Sequence, residues 1–457
     1  MNTRDGLGLA LIAAASALST AVADNLYWAG GPTGYWDDPN TWTNASEVAV
    51  VPGSADVVTI QAIGGETITI TNTATISSLA FAIADGTEGT LVIEPGANLS
   101  APKGAQLSQG VNSAGTIIQN GGTFSLNANI SFGRSTGNRV GRYYMNGGTL
   151  TFTRNGLFLG YSGGSGYFYQ SGGTVTVPTL MVPHKATVVG ATAHYEISGG
   201  ALTVSSALNI GNDPGPTKGT GIVDCEFKLI GSVSSVELAG TMAMYAPDKV
   251  QTKLTALIDN GGVSPIRVTG AASTVSLAGE FAAGVAHGVA FTATNAFDVI
   301  SGAPTMTGSF STLPDASLWT TETVENGGLS TFRMALAEDG CKGTLRGGCY
   351  FMENLTFAPV AAAGHVKVNV QGVGKPMPVR LTVNPGTKTV EDLIDYLKTA
   401  GFDAGASDRA GYDVMFTVTP SAAESYLVWD LSAFDSEATV SAVCVGNPQP
   451  ALRIMID

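Results

Sequence analysis

The sequence is poor in charged residues, histidine and cysteine. Asp, Glu, Lys and Arg make up 13% of its 457 residues, and it has only 4 histidines and 4 cysteines. A typical domain has about a quarter of its residues charged. The cysteine spacing does not fit a zinc site, and a net charge of −14 makes the chain a poor non-specific binder of nucleic acid. We therefore expect no metal, no other cofactor and no nucleic-acid partner.

Catalytic constellations are scarce as well. From residue 101 to residue 212 the only acid is Glu196, whereas glycosidases need a pair of carboxylates and calcium sites need several. His184 and His194 are isolated in the sequence, and it contains no Gly-x-Ser-x-Gly elbow, phosphate-binding loop or metal-binding histidine pair at helical spacing. These absences favour a protein that is not an enzyme.

Long hydrophobic runs are missing after the N-terminus. Arg4 precedes the apolar run Leu7–Leu18, which is too short to span a membrane, and Ala21-Val22-Ala23 matches a cleavage site. We expect residues 1–23 to be a secretory signal peptide. The mature chain would begin at Asp24, carry no transmembrane segment and be secreted, extracellular or at the cell surface.

What the sequence does contain is one phrase repeated four times, as Asn120-Gly121-Gly122-Thr123, Asn146-Gly147-Gly148-Thr149, Ser171-Gly172-Gly173-Thr174 and Ser198-Gly199-Gly200-Ala201. The spacings between the first glycines are 147 − 121 = 26, 172 − 147 = 25 and 199 − 172 = 27, and a period in this range indicates a solenoid. Three short alternating segments surround each Gly-Gly pair, and alternation predicts strands. The sequence therefore predicts a mainly β chain, a single-stranded parallel β-helix of about 26 residues per coil.

The repeats at about residues 110 to 215 have the pattern Tyr-x-x-x-Gly-Gly-Thr, a strand, and then Leu-x-Leu-Gly or Leu-x-Ile-Gly. This pattern resembles the repeats of secreted bacterial passenger-type β-helix proteins, the autotransporter-associated β-strand repeat proteins. The resemblance implies a right-handed solenoid with a structural or adhesive role at the cell surface. No run of amphipathic membrane strands closes the sequence, so we expect no membrane barrel, which departs from true autotransporters.

The pattern divides the chain into four parts. After the signal peptide, residues 24–45 form an aromatic N-terminal cap that covers the first coil. Residues 46–358 form the parallel β-helix, most regular at 115–211 and roughly a dozen coils long; a separate β domain from 216 is the alternative. Residues 364–457 read as a small α+β module, because six alternating segments surround one amphipathic helix that Thr389 caps and Gly401 ends.

The regular coils also contain the candidate binding residues. Between residues 101 and 212 there are six basic residues and one acid, a balance of 6 − 1 = +5. Tyr144 and Tyr169 are predicted to stack outward on neighbouring coils, and with Arg142 and Arg154 they form a candidate glycan-binding site. Packing of these tyrosines under a loop, with arginines that merely aid solubility, is the alternative.

The cysteines suggest one disulfide. Cys341 and Cys349 bracket a hairpin-like loop, and export permits disulfides, so this pair is a candidate. Whether Cys225 and Cys444 pair stays open.

We expect an exported, non-enzymatic solenoid that serves as a rigid spacer or binding surface for an extracellular glycan or another surface protein. One alternative is a carbohydrate-active protein that binds or cleaves an acidic polysaccharide. The other is a self-associating subunit of an extracellular filament or layer.

Overall fold

The computed structural model describes residues 24–336, apart from 61–62, 82–83, 135–136, 185–191, 212–222, 260, 286–295, 315 and 317–318, together with the backbone of seven strands further on. Up to residue 200 the strands are β1 (Asn25–Trp28), β2 (Thr33–Tyr35), β3 (Trp42–Thr43), β4 (Val57–Ile60), β5 (Ile63–Ile70), β6 (Thr73–Thr75), β7 (Ser78–Phe81), β8 (Glu88–Ile93), β9 (Asn98–Ser100), β10 (Ala105–Leu107), β11 (Ala114–Gln119), β12 (Thr123–Leu126), β13 (Ile130–Phe132), β14 (Val140–Met145), β15 (Thr149–Phe152), β16 (Gly156–Phe158), β17 (Ser165–Gln170), β18 (Thr174–Val182) and β19 (Thr192–Ile197).

The later strands are β20 (Gly200–Ile210), β21 (Val223–Ile230), β22 (Ser234–Leu238), β23 (Thr241–Met244), β24 (Val250–Ile258), β25 (Ile266–Val268), β26 (Thr274–Leu277), β27 (Glu280–Val285), β28 (Ala296–Ala303), β29 (Thr305–Gly308), β30 (Trp319–Asn326), β31 (Leu329–Leu336), β32 (Met352–Glu353), β33 (His365–Gln371), β34 (Met377–Asn384), β35 (Tyr412–Val418), β36 (Ser425–Asp430), β37 (Thr439–Cys444) and β38 (Arg453–Ile456). Two short 3-10 helices cover Pro39–Thr41 and Tyr161–Gly163. Among the described residues, no helix has the length and hydropathy needed to cross a membrane.

The chain winds in stacked parallel turns. Eight consecutive turns consist of β5–β7, β8–β10, β11–β13, β14–β16, β17–β18, β19–β20, β21–β23 and β24–β26. The first strand of each turn belongs to one parallel sheet, which has ten strands and runs from β2 to β27. The second and third strands of each turn form two further parallel rows in the other large sheet. The predicted mainly β fold and parallel solenoid are confirmed; the right-handed sense of winding stays a prediction.

The turns are slightly longer and fewer than the sequence predicts. Register pairs lead from Ile68 to Phe281 in eight interstrand steps, and the sequence separation 281 − 68 = 213 gives about 27 residues per step. The step from Tyr195 to Phe227 is the longest of these eight, with a separation of 227 − 195 = 32. The prediction of roughly a dozen coils is wrong, because the eight turns extend only from Ile63 to Leu277 and β30 and β31 pair antiparallel after the last parallel rows.

The alternation of side chains builds the core. In β11, β14, β17 and β19 alternate residues are buried, and the inward ones come into register from turn to turn. Tyr143, Phe168 and Tyr195 stack face to face inside, with ring centroids 4.8 Å apart at both steps. Stacked aromatic pairs add about 0.5–1.5 kcal/mol each beyond the area that they bury.

The four Gly-Gly corners align along one edge of the solenoid, as predicted. Thr123, Thr149, Thr174 and Ala201, which follow them, are register partners on successive turns. Asn146 Nδ2 donates a hydrogen bond to Asn120 Oδ1 at 3.0 Å, and Ser171 Oγ donates to Asn146 Oδ1 at 3.1 Å. The corner side chains therefore form a hydrogen-bonded ladder along the solenoid.

Aromatic clusters lie at both ends of the described turns. Near the first turn, Trp42 is fully buried between Trp28 and Trp36, whose ring centroids lie 5.1 and 4.8 Å away in edge-on geometry. After the last parallel turn, Phe281 packs edge-on against Phe332 of the β30–β31 hairpin at 5.0 Å.

Beyond residue 351 the described strands are antiparallel. β34 pairs with β35 and β37, and β33 pairs with β36 and β38. These six strands coincide with the six segments that the sequence marks as strands. Three predictions concern residues outside the described part of the chain: the helix from Thr389 to Gly401, the disulfide between Cys341 and Cys349, and the signal peptide 1–23. The α+β module therefore stays a prediction.

Candidate binding surface

The structure brings together three of the four residues predicted for the glycan site. Arg142 and Tyr144 lie on β14 and Tyr169 lies on β17, all on the outward face of the ten-stranded sheet, because their neighbours Tyr143 and Phe168 point inward. Arg154 is exposed in the turn between β15 and β16, which belong to the other large sheet. The structure therefore separates Arg154 from the other three residues.

The two outward tyrosines stack as the sequence predicts. Tyr144 and Tyr169 are register partners, and their ring centroids lie 5.1 Å apart with an interplanar angle of 17°. Each ring covers one face of the other, so this pair offers ring edges and hydroxyl groups more than open faces. Such a surface suits hydrogen bonding to a polar ligand.

Tyr169 keeps its proton under physiological conditions. Burial raises its pKa to about 12, Tyr144, Tyr167 and Glu196 add to the rise, and Arg142 opposes it. A phenol with this pKa remains a neutral group that can both donate and accept a hydrogen bond.

Arg142 contacts a third outward tyrosine. Its Cζ lies 5.9 Å from the centroid of the Tyr167 ring, within the range of a cation–π interaction. Tyr167 is in turn 6.3 Å from Tyr169 on the same strand. Among the described residues Arg142 has no carboxylate at ion-pair distance, so its charge is available to an anionic ligand.

Acidic residues lie on the same outward face in the next two turns. Glu196 forms an ion pair with Lys228 at 3.4 Å, and Asp224 forms one with His194 at 3.2 Å. Glu226 Oε1 accepts a hydrogen bond from Thr255 at 2.5 Å. Sequence reasoning singled out Glu196 alone, because Asp224 and Glu226 lie beyond the regular repeats. In the part of the chain that the structure describes, no three His, Cys, Asp or Glu residues cluster as metal ligands.

Sequence reasoning also missed Tyr167 and His194 as members of this surface. His194 meets the Tyr167 ring edge-on at 5.6 Å. The signal was present in the spacing, since 167 − 142 = 25 and 194 − 167 = 27 are both one turn. Extending the Gly-Gly period to the outward residues would have found the column Arg142, Tyr167 and His194.

The thiol of Cys225 is free and buried. Its Sγ donates to the carbonyl oxygen of Gln251 at 3.2 Å, and burial raises its pKa to about 12. Cys225 is therefore unpaired in this structure, and the side chain of Cys444 lies outside the described residues.

Comparisons with family models, curated proteins and solved structures give no match for this chain. The solenoid part of the resemblance to passenger-type repeat proteins is present in the structure, whereas a passenger origin stays a prediction.

Proposed function

We propose that this protein is an exported, non-enzymatic structural or adhesive solenoid at the cell surface, which acts as a rigid spacer and presents a binding surface. The observation that supports this proposal is the stack of eight turns with one outward surface of tyrosines and an arginine that has no acidic partner among the described residues.

Stiffness follows from the way the turns are joined. In the regular region each turn is hydrogen-bonded to the turn before and the turn after it through all three rows of strands. Side-chain ladders and stacked inward rings repeat at the same spacing. Bending the rod would have to break several of these contacts at once, which suits a spacer.

The surface of Arg142, Tyr144 and Tyr169 is the proposed contact with the outside. An extracellular glycan or another surface protein would engage the hydroxyl groups and the guanidinium group there. Self-association of the solenoid is a further mode of contact within the same proposal.

The test uses the purified mature chain from Asp24. Immobilised protein is incubated with the extracellular polymer fraction and the surface proteins of the source cells, and retained material is measured next to released reducing ends. We expect retention without turnover, and small-angle scattering of an elongated particle. Turnover of any polymer would contradict the non-enzymatic part, and a compact particle would contradict the spacer.

The carbohydrate-active alternative has one observation in its favour. Three carboxylates, Glu196, Asp224 and Glu226, lie on adjacent strands β19 and β21 of the face that carries the tyrosines. If this were a catalytic site, Glu196→Gln and Glu226→Gln would abolish release of reducing ends from an acidic polysaccharide. Under the main proposal the wild-type protein and both variants release none.

A further inference from the structure

Two columns of the same composition flank one corner of the solenoid. The first column is Arg134, Tyr161 and His184, and the second is Arg142, Tyr167 and His194. Each column takes one residue from each of three successive turns. The order of arginine, tyrosine and histidine along the axis is the same in both columns.

The first column is a continuous stack. The Cζ atom of Arg134 lies 5.5 Å from the centroid of the Tyr161 ring. Tyr161 and His184 are nearly parallel, with centroids 4.4 Å apart, and Phe158 stacks on His184 at 4.5 Å. Arg134 is exposed, whereas Tyr161 and His184 are half-buried, so the arginine end of this stack is open to solvent.

The second column repeats this contact on the sheet itself. Arg142 lies over Tyr167 at 5.9 Å, and His194 approaches the same ring edge-on at 5.6 Å. Register pairing places the three residues directly beside one another on β14, β17 and β19. Neither Arg134 nor Arg142 has a carboxylate at ion-pair distance among the described residues.

The tight corner keeps the two columns together. A Cβ atom on Gly166, which precedes Tyr167, would lie 2.5 Å from the backbone nitrogen of Gly160, which precedes Tyr161. A Cβ atom on Gly160 would lie 3.2 Å from Pro183 Cβ and 3.3 Å from Ala193 Cβ, the residues before the two histidines. The residues that precede the tyrosines and histidines of both columns are therefore packed against one another at this corner.

We propose that these two columns, together called the twin column, bind a linear anionic polysaccharide that runs along the solenoid axis. Its two guanidinium groups would pair with carboxylate or sulfate groups, and the tyrosine hydroxyls would hydrogen-bond to sugar hydroxyls. His184 and His194 contact the tyrosine rings of the two columns. Three stacked groups cover roughly 10 Å at the ordinary interstrand spacing, which favours an extended chain over a single small anion. The two guanidinium groups, which have no carboxylate at ion-pair distance among the described residues, give this surface charge complementarity to such a polymer.

The test measures binding of the mature chain to heparin, polygalacturonate, neutral dextran and polyuridylate by titration calorimetry at two salt concentrations. We expect binding to at least one of the two anionic polysaccharides, weakened by salt, and none to dextran. Because each arginine would supply charge-assisted hydrogen bonds to the polymer, Arg134→Gln with Arg142→Gln should weaken binding at least about tenfold. The matched control is Arg154→Gln with Arg267→Gln, which removes the same charge elsewhere and should change binding less than about twofold.

Three outcomes overturn the inference: no binding to either anionic polysaccharide, an equal loss in the control, or a preference for polyuridylate. The inference rests on the binding surface of the proposed function, but different results would contradict the inference and the proposed function. A chain that scatters as a rod and retains surface material without binding these polymers keeps the spacer function and loses the twin column. Release of reducing ends would overturn the non-enzymatic proposal even if the twin column binds the polymer.

Discussion

Two buried glutamines link successive turns inside the solenoid. Tyr195 Oη donates to Gln170 Oε1 at 2.6 Å, and Gln170 Nε2 donates to the carbonyl oxygen of Ala201 at 2.9 Å. The same arrangement joins Tyr143 to Gln119 and Gln119 to the carbonyl oxygen of Thr149 two turns earlier. Burial raises the pKa of both phenols well above the ordinary value, so they remain donors. Each glutamine thus satisfies polar groups of the next turn.

The Gln170 pair gives the first prediction. Gln170→Leu should lower the free energy of unfolding by about 1–3 kcal/mol, because it leaves the buried Tyr195 hydroxyl without its hydrogen-bond acceptor. Tyr195→Phe should cost less, and adding it to Gln170→Leu should cost less than the sum of the single changes. Urea unfolding of the mature chain measures the free energy of unfolding of the two single variants and the double variant. The control is Gln251→Leu at an exposed position, whose free energy of unfolding should lie within about 0.5 kcal/mol of the wild-type value. Equal effects for Gln170→Leu and Gln251→Leu would contradict the role of the buried pair.

Cys225 gives a prediction about reactivity. With a pKa near 12 almost none of its thiol is ionised at pH 8, and the thiolate is the reactive form. Iodoacetamide at pH 8 should therefore leave Cys225 unmodified in the native protein and modify it fully in urea, as mass spectrometry of its peptide would show. Rapid modification without urea would contradict the buried position.

At the scale of elements, both glycines of a Gly-Gly corner lie close to the preceding turn, and the second also has a left-handed backbone. Gly172 is the point of closest approach, since a Cβ atom there would fall 2.3 Å from the backbone oxygen of Asn146 on the preceding turn. Gly173 has a φ of +66°, a conformation that residues with a Cβ atom rarely adopt. The glycine pair predicted the left-handed backbone at the corner, but not the close approach between successive turns.

The corner glycines give the next prediction. Gly172→Ala should destabilise the solenoid by about 1–3 kcal/mol through overpacking. Gly173→Ala should destabilise it at least as much, because a Cβ atom there would lie 2.7 Å from the backbone oxygen of Gly148 and the backbone would also be strained. Gly31→Ala is the control, because a Cβ atom at Gly31 would meet nothing within 4 Å. Thermal unfolding would compare the three variants. A neutral Gly172→Ala would mean that the turns are not packed as closely as described.

Asp259 stabilises a later corner and predicts a dependence on pH. Burial alone would raise its pKa, but hydrogen bonds from Ser232, Gly261 and Gly262 outweigh burial and lower it below 3.8. A lowered folded pKa means that its contribution to stability is complete above the unfolded value and is lost as pH falls through the folded value. The stability difference between wild type and Asp259→Asn should therefore be largest near pH 6 and shrink below pH 3.8. A difference that does not change with pH would contradict this role.

The strands and corners could be predicted because their signals are local. Alternation and the Gly-Gly period place β12, β15 and their neighbours in register, and alternation alone marks the segments that become β33 to β38. The pairing of Gln170 with Tyr195 could not be predicted, because it depends on which inward side chains meet across a turn. To predict the twin column from the sequence, the Gly-Gly period would have to be applied to the outward residues as well. Arg134, its first member, lies in a connection between strands, where no alternation of side chains indicates the register.

At the scale of the whole molecule, one continuous core extends from Trp28 to Met334. Parallel stacking leaves no turn of the regular region without neighbours, and the aromatic clusters around Trp42 and Phe332 pack at its two ends. A stack of this kind has a fixed length between any two turns. That fixed length is what the proposed role as a spacer requires.

The most direct test of the stack is a distance between two spin labels placed on one outward column. Thr90 and Lys253 are distant in sequence but are joined by six interstrand steps, through Thr116, Arg142, Tyr167, His194 and Glu226. Six steps at the ordinary interstrand spacing give about 29 Å between their Cα atoms. Pulsed electron–electron double resonance on Thr90→Cys with Lys253→Cys, in a chain whose native cysteines are replaced by serine, should give one narrow distribution near this value. A broad distribution, or a peak far from about 29 Å, would contradict a rigid stack of parallel turns.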